Sequence, residues 1–425
     1  MRSNIVSFHL LLLFAVATTG LAPVFCPLHA AENQAALQLE EVIVSARKRE
    51  ENLQQAPISA TALTASMLED AALPDLSSIE AMTPNLSFTV GSDGSSSSLQ
   101  AFIRGVGQFD FALTTDPGVG VYIDGVYLAR TIGANLEFAD IERIEVLRGP
   151  QGTLFGKNTI GGAINVVSKV PSGDTNFSLH GTVGRFDYVG TNAYVEFPLV
   201  KDKLSASISF LSKNSDGWQK RPGDDAGNDD MLGGRAHLYW TPVDTFSSHL
   251  IVDAIDQDQQ VYPRVLERFD PNQVFPSFYN GFVAPCCTQT SDIDRSNVPP
   301  ETDHDKLESY GLSWTNSFDL GGLTLKSISG YRNMDSDTLR DSDNDPLDYF
   351  SVRAVFDHEQ FSQEFLLNGL AFNEKLNWLV GAYYFNEDGE HLTDVTVAEG
   401  LFEVLSALPL SVTDDGTPTG TPLQF

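Results

Sequence analysis

Leu204-Ser205-Ala206-Ser207-Ile208-Ser209-Phe210 puts an apolar residue at every second position and a serine in each gap. Strand side chains point alternately to opposite faces, so this spacing gives a strand with one apolar and one polar face. The same grammar surrounds it. Ala193, Val195, Phe197 and Leu199 alternate with Tyr194 and Glu196, and Ala236, Leu238 and Trp240 with Arg235, His237 and Tyr239. Tyr310, Leu312 and Trp314 alternate with Ser309, Ser313 and Thr315. About nine such strands are predicted after residue 176, each near the ten residues of a membrane-barrel segment. Segments 366–372 and 376–385 alternate less well.

A soluble sandwich gives the same alternation. The connections decide between the two. Val200–Lys203, Thr241–Thr245, Leu320–Leu323 and Asn373–Lys375 are tight, whereas Ser212–Asp230, Gln257–Asp305 and Asn333–Glu359 are long. Short turns on one side and long loops on the other are the pattern of an outer-membrane barrel, with the polar face lining a lumen and the apolar face meeting lipid. After residue 31 no apolar run reaches the roughly 18 residues of a membrane helix, so a crossing requires a closed sheet. Nine strands alone would leave open edges, and Glu390 to Phe425 reads as loop. The expectation is therefore a partial transmembrane barrel over 172–425, the first part of a larger one.

Composition narrows the function. The 425 residues carry 26 Lys and Arg against 57 Asp and Glu, a net charge of -31. That balance argues against a nucleic-acid partner, which needs a basic surface. A hydrophobic share of 42% argues against an acidic disordered tail, and the length suggests two or three domains. Met1-Arg2, the apolar run Val6 to Ala17 and the small residues ending at Ala30-Ala31 predict a secretory signal peptide over 1–31. Cys26 follows the bulky Pro23-Val24-Phe25 and suits lipidation poorly. Cys286-Cys287 fits either two thiols or a strained vicinal bridge, and no second pair stands at metal-ligand spacing.

Residues 48–171 read as a small α+β unit. A helix is predicted over Thr61 to Ala72, and a second over Asp75 to Met82 before Pro84. Gly91 to Ser98 is a flexible loop, and Val119 to Leu128 is a hairpin turning at Asp124-Gly125. Phe138 to Ile144 suggests a helix leading into strand Glu145 to Leu147, and Ile160 to Lys169 is strand-like.

Five motifs together resemble the TonB-dependent outer-membrane receptors. They are Glu41-Val42-Ile43-Val44-Ser45-Ala46, Phe102-Ile103-Arg104-Gly105-Val106, Val121-Tyr122-Ile123-Asp124-Gly125-Val126, the run from Ile141 through Arg148-Gly149-Pro150 to Gly156, and Gly161-Gly162-Ala163-Ile164-Asn165-Val166. The resemblance implies a tether with a TonB box over 32–47, a plug over 48–171 and a barrel of which this sequence holds the beginning. It implies energy-coupled uptake in the outer membrane, with TonB, ExbB and ExbD as partners and a small nutrient, most often an iron chelate, as ligand. It implies no enzyme activity, cofactor or resident metal.

Physical readings accompany these motifs. An extended β-branched segment at Glu41, Val42, Ile43, Val44, Ser45 and Ala46, on a tether from Glu32 to Glu40, is suited to adding to a partner's sheet edge. The other reading of these residues is the first strand of the plug. The short tether leaves no room for a signalling domain. Arg104, Arg143 and Arg148 need carboxylates if buried, and Glu142, Glu145 and barrel Glu196 are the candidates for holding plug to wall. The resemblance places 107–116 at the plug apex, making Gln108, Phe109 and Phe111 candidate ligand contacts.

Other chemistry finds little support. Asp341-Ser342-Asp343-Asn344-Asp345 starts like a calcium loop, but Pro346 stands where the turn needs Gly and Val352 where it needs Glu. A solvated acidic loop is expected. His237 and His249 face the lumen in this register and need no metal there. There is no G-x-S-x-G or HExxH motif. The rival functions are a passive porin or adhesin, without a coupling strand, and a periplasmic β-sandwich enzyme.

Overall fold

Period-two patterning governs most of the chain, and the structure, a computed structural model, turns it into a long antiparallel meander beside a smaller mixed sheet. It describes residues 43–397 except 46–47, 50, 72, 74, 91–94, 131, 135–139, 224, 262–263, 269, 271–289, 297, 299–302, 345–349 and 374. The expected leader and Cys286-Cys287 lie outside the described residues.

The smaller part runs β1 (Ile43–Val44), β2 (Glu51–Asn52), β3 (Ala60–Thr64), α1 (Ala65–Asp70), a 3-10 turn (Ser77–Met82), β4 (Leu86–Val90), β5 (Leu99–Ile103), β6 (Val106–Gly107), β7 (Val119–Ile123), β8 (Val126–Leu128), β9 (Ile141–Arg148), α2 (Gly152–Phe155) and β10 (Gly162–Ser168). Its main sheet has the order β3-β9-β10-β7-β8, in which only β10 and β7 are parallel, and β4-β5-β6 form a second sheet. Leu63, Leu76, Ile79, Leu99, Ile103, Val121, Ile123, Ile144, Val146 and Ile164 form the core between them. The β7–β8 hairpin turns at Asp124 (φ 51°) and Gly125 (φ 85°), the left-handed pair its two-residue loop requires.

Two helix expectations are corrected. Over Thr61 to Ala72, the first residues are β3, paired with β9, and only Ala65–Asp70 is helical. Thr64 sits at the boundary and caps the helix by accepting from the Met67 amide. Ile141 to Ile144 are strand, because Ile144 and Val146 alternate into the core as part of β9. Sheet pairing overrode the local helix formers in both places.

The larger sheet is the meander β11 (Asn176–Val183), β12 (Val189–Val200), β13 (Leu204–Ser215), β14 (Asp229–Val243), β15 (Phe246–Gln259), β16 (His304–Asp319), β17 (Leu323–Asp341), β18 (Phe350–Ala371) and β19 (Leu376–Val397), each antiparallel to the next. The nine strands match the sequence reading, but β18 and β19 are 22 residues long. The stretch 333–359, expected as loop, is mostly strand. Asp335, Asp357 and Glu359 point outward while Ser336, His358 and Gln360 point inward, so the period of two continues through the charged residues.

The two faces of this sheet reverse those of a water-soluble one. Ser207, Ser209, His237, Asp253, Ser313 and Ser362 are buried, while Ile208, Phe210, Trp240, Val252, Trp314 and Phe365 are exposed. That distribution suits a polar lumen with an apolar outside. Side chains of six consecutive strands, β14 to β19, touch the smaller part, which therefore lies within the curve of the sheet. At Gly330 on β17 an added Cβ would stand 2.5 Å from Val126 Cγ1, so the absent side chain permits the approach.

Among the described residues of the acidic stretch after β17, the aspartates are not solvated. Asp341 and Asp343 are buried and accept from the Asn344 and Phe350 amides, at 2.6 and 2.7 Å, closing the turn. No cluster of three or more metal-ligating side chains occurs among the described residues.

Candidate functional site

Glu41, Val42 and Ala46 lie outside the described residues, but Ile43, Val44 and Ser45 are placed. Ile43 and Val44 pair with Asn52 and Glu51. Val44 is 0% exposed, packed in a cluster with Ala62, Tyr122, Tyr127, Leu147 and Ala163. The Ser45 amide and hydroxyl both donate to Glu145, at 2.9 and 3.0 Å, and Asn165 donates to the Ser45 hydroxyl. Here these three residues adopt the first-strand reading rather than hanging free. Just beyond them, Lys48 pairs with Glu364 of β18 at 3.0 Å and stacks over the Phe155 and Tyr122 rings. Burial pushes the Tyr122 phenol far above its ordinary pKa, and its hydroxyl donates to the Phe155 carbonyl at 2.6 Å.

Of the five charged residues expected to bridge to the wall, Glu142, Arg143, Glu145 and Arg148 bond within the smaller part instead. Arg143 contacts Glu142 and Glu145, neighbours on its own strand. Arg148 donates to the Pro84 and Ala60 carbonyls, and the backbone of Arg104 occupies a left-handed turn closed by Asn85. Barrel Glu196 binds Ser172, Asn176 and Tyr194. This correction follows from position: β9 lies between β3 and β10, so its side chains meet the smaller part's own strands.

The wall contacts come from residues to which the sequence assigns strand alternation, a turn or a lumen position rather than the interface. Arg235 of β14 donates to Asp140 at 3.1 Å, to Ser168 at 2.7 Å and to Asp124 at 2.8 Å. His237 Nε2 lies 2.6 Å from the other Asp140 oxygen, and its Nδ1 lies 3.1 Å from His249. The side chains of Arg235, His237 and Asp140 are all 0% exposed. Burial alone would raise the Asp140 carboxyl, but Arg235 and His237 hold it down to about 2. Both ring nitrogens of His237 are engaged, which leaves none for a metal. On β18, Gln360 accepts from the Ala129 amide at 3.0 Å and donates to the Tyr127 carbonyl at 2.6 Å. On β19, Glu387 receives Arg130 and Lys157. The serine stretch expected to be flexible is anchored at Ser96, whose amide and hydroxyl donate to Asp305 of β16 at 2.8 and 3.0 Å.

The three apical candidates separate. Gln108 accepts from the Phe109 and Asp110 amides and shapes its own loop. Phe111 packs beside Phe356 and His391 of the wall. Phe109 alone projects, 61% exposed. Asp124 has a visible signal, its Asp-Gly turn within the motif Val121 to Val126, but neither points to a wall partner. Asp140, Arg235 and Gln360 carry no local motif.

Comparison with known proteins fits this geometry. Residues 52–163 match the family model described as TonB-dependent Receptor Plug Domain. The pesticin receptor of Yersinia pestis is 30% identical over 200 residues, 46% of this chain and 28% of that protein. The vitamin B12 transporter BtuB of Vibrio cholerae is 25% identical over 214 residues, 49% of this chain and 33% of its own length. The ferric yersiniabactin uptake receptor FyuA from Yersinia pestis superposes with a TM-score of 0.66 at 19% identity, covering 80% of this chain and 50% of that one. The siderophore receptor PiuA from Acinetobacter baumannii gives 0.65 at 16% identity, covering 91% and 54%. Residues 52–163 thus match a TonB-dependent receptor plug domain, and the sheet that follows has the fold of the barrel strands in these solved structures. The chain spans a third or less of these curated relatives.

Proposed function

We propose that the protein is an outer-membrane receptor that imports a scarce nutrient by TonB-driven displacement of its plug. The observation that carries this is a folded plug seated against six wall strands, with Ile43 and Val44 paired at its edge over two residues and Ser45 tied to Glu145 and Asn165. Val44 is packed in the plug's own cluster, so the extended segment must leave that packing to add to a partner's sheet edge, and a pull on it acts directly on the plug. TonB, energised through ExbB and ExbD, would take residues 41–46 and draw on the plug through them. The chain itself makes and breaks no bonds. The cargo favoured is a ferric siderophore, because the names of FyuA and PiuA describe such receptors. A cobalamin cargo is the second reading, favoured by the match to BtuB; glycans remain physically compatible.

Deleting Glu41 to Ala46 should abolish uptake while ligand still binds at the cell surface. Undiminished uptake by that deletion would favour a passive porin. Growth of a strain lacking the gene under iron limitation, against growth limited for cobalamin, separates the two cargo readings.

A further inference from the structure

We infer that the wall beneath Asp124 and Asp140 is a binding site for carboxylate- or phosphate-bearing anions, which the plug covers at rest and an anionic solute occupies in passage. The Asp140 carboxylate is gripped at both oxygens, one by Arg235 and the other by His237 Nε2, while Asp124 takes the second terminal nitrogen of Arg235. This is how a wall would receive a free carboxylate: a guanidinium fork and an imidazole converging on one anion. Here the anion belongs to the plug. The wall has a carboxylate nearby, Asp253, but Arg332 holds both of its oxygens, at 2.9 and 3.0 Å, so it offsets Arg332 first.

Charge counting gives the consequence. With the plug seated, Asp124, Asp140 and Asp253 face Arg235 and Arg332, with His237 and His249 beside them. Moving the plug removes two carboxylates at once and leaves Arg235 and His237 facing an opened lumen. Arg235 then loses both plug carboxylates and shares Asp253 with Arg332, which already holds both Asp253 oxygens, so water or a passing anion takes the place of Asp140. In a chain of net charge -31, such an uncovered cationic patch would draw anions into a lumen that the rest of the protein disfavours. The inference rests on the proposed displacement of the plug, but not on TonB as its motor.

The test opens the lumen without TonB. The receptor purified from its native membrane is placed in a planar bilayer, and urea is added to unfold the plug reversibly while the barrel stays. The anion-to-cation permeability ratio is read from the zero-current potential in a potassium acetate gradient. Arg235→Gln should lower that ratio about twofold or more, and His237→Gln, which keeps the guanidinium, should lower it less. Asp140→Asn changes only the plug and should leave the open-lumen ratio unchanged. A ratio equal in wild type, Arg235→Gln and His237→Gln overturns the inference, as does an equal shift in Asp140→Asn. If Arg235→Gln fails to assemble, His237→Gln decides alone. A lumen that never conducts in urea also overturns it, because the site is then never uncovered. Loss of TonB coupling would touch none of these readings.

Discussion

The plug is held by two seats of opposite character. On β14 a buried guanidinium and imidazole receive plug carboxylates; on β18 the neutral amide of Gln360 clamps a plug backbone, the Tyr127 carbonyl and the Ala129 amide. Both are buried. They differ in what happens on opening. The charged seat regains strong hydration on both sides, which offsets much of the lost Coulomb energy, whereas the amide clamp exchanges ordinary hydrogen bonds for water. The charged seat is therefore strong while assembled and responsive to charge. The amide clamp depends on geometry and is indifferent to pH.

The largest expected effect breaks the charged seat from one side only. Arg235→Leu leaves Asp124 and Asp140 buried without their guanidinium, and should lower plug stability by about 3–5 kcal/mol. Protease accessibility of the plug against urea, in purified receptor, measures this; a loss below that of a surface substitution would mean that the seat is already hydrated. Gln360→Leu comes next. It orphans two backbone groups, at about 1–3 kcal/mol each, and should shift the same urea midpoint by a similar amount at neutral and acid pH.

Acid should separate the two seats. Asp140 is held at about 2 against an ordinary value of 3.8. Its folded pKa is depressed, so its contribution is complete above pH 3.8 and is lost as pH falls towards 2. The difference is worth about 2 kcal/mol. The stability gap between wild type and Asp140→Asn should therefore narrow by about that amount between pH 5 and pH 2, while the gap between wild type and Gln360→Leu stays constant. A Gln360→Leu gap that narrows as much would erase the distinction between the seats.

The architecture was largely legible and the seats were not, for one physical reason. Period two is a local signal, so Leu204 to Phe210 announces its strand with no knowledge of its neighbours, and the Asp124-Gly125 turn announces its hairpin. A seat joins residues far apart in the chain: Asp140 meets Arg235, and Tyr127 meets Gln360. Nothing near any of these four records its partner. The local rule also explains the errors. Arg143 and Arg148 look like interface cations because they are charged residues in an apolar strand, but β9 has its own acids and carbonyls within reach. The outward acids Asp335 and Asp357 suggest loop by their charge, although the alternation runs unbroken through them. Glu41 to Ala46 reads as an extended segment under either assignment, so sequence alone could not choose between tether and first strand.

The smallest predicted effect tests whether the serine stretch is a third seat or decoration. Ser96 makes two contacts to Asp305, one through its amide and one through its hydroxyl, and Asp305 also receives Gln257 at 2.9 Å and Thr338 at 3.2 Å. Ser96→Ala removes the hydroxyl, which donates to Asp305 and accepts from Gln257 and Gln259. The amide contact survives, and the buried carboxylate keeps the donors from Gln257 and Thr338. The loss should therefore be about 1–2 kcal/mol. Ser96→Pro removes the amide donor as well as the hydroxyl, so it should cost more and loosen the apex loop. Hydrogen exchange across 95–101 reads both variants. Equal protection in the two would mean that the loop is held by the packing of Leu99 and Ala101 in the core rather than by Asp305.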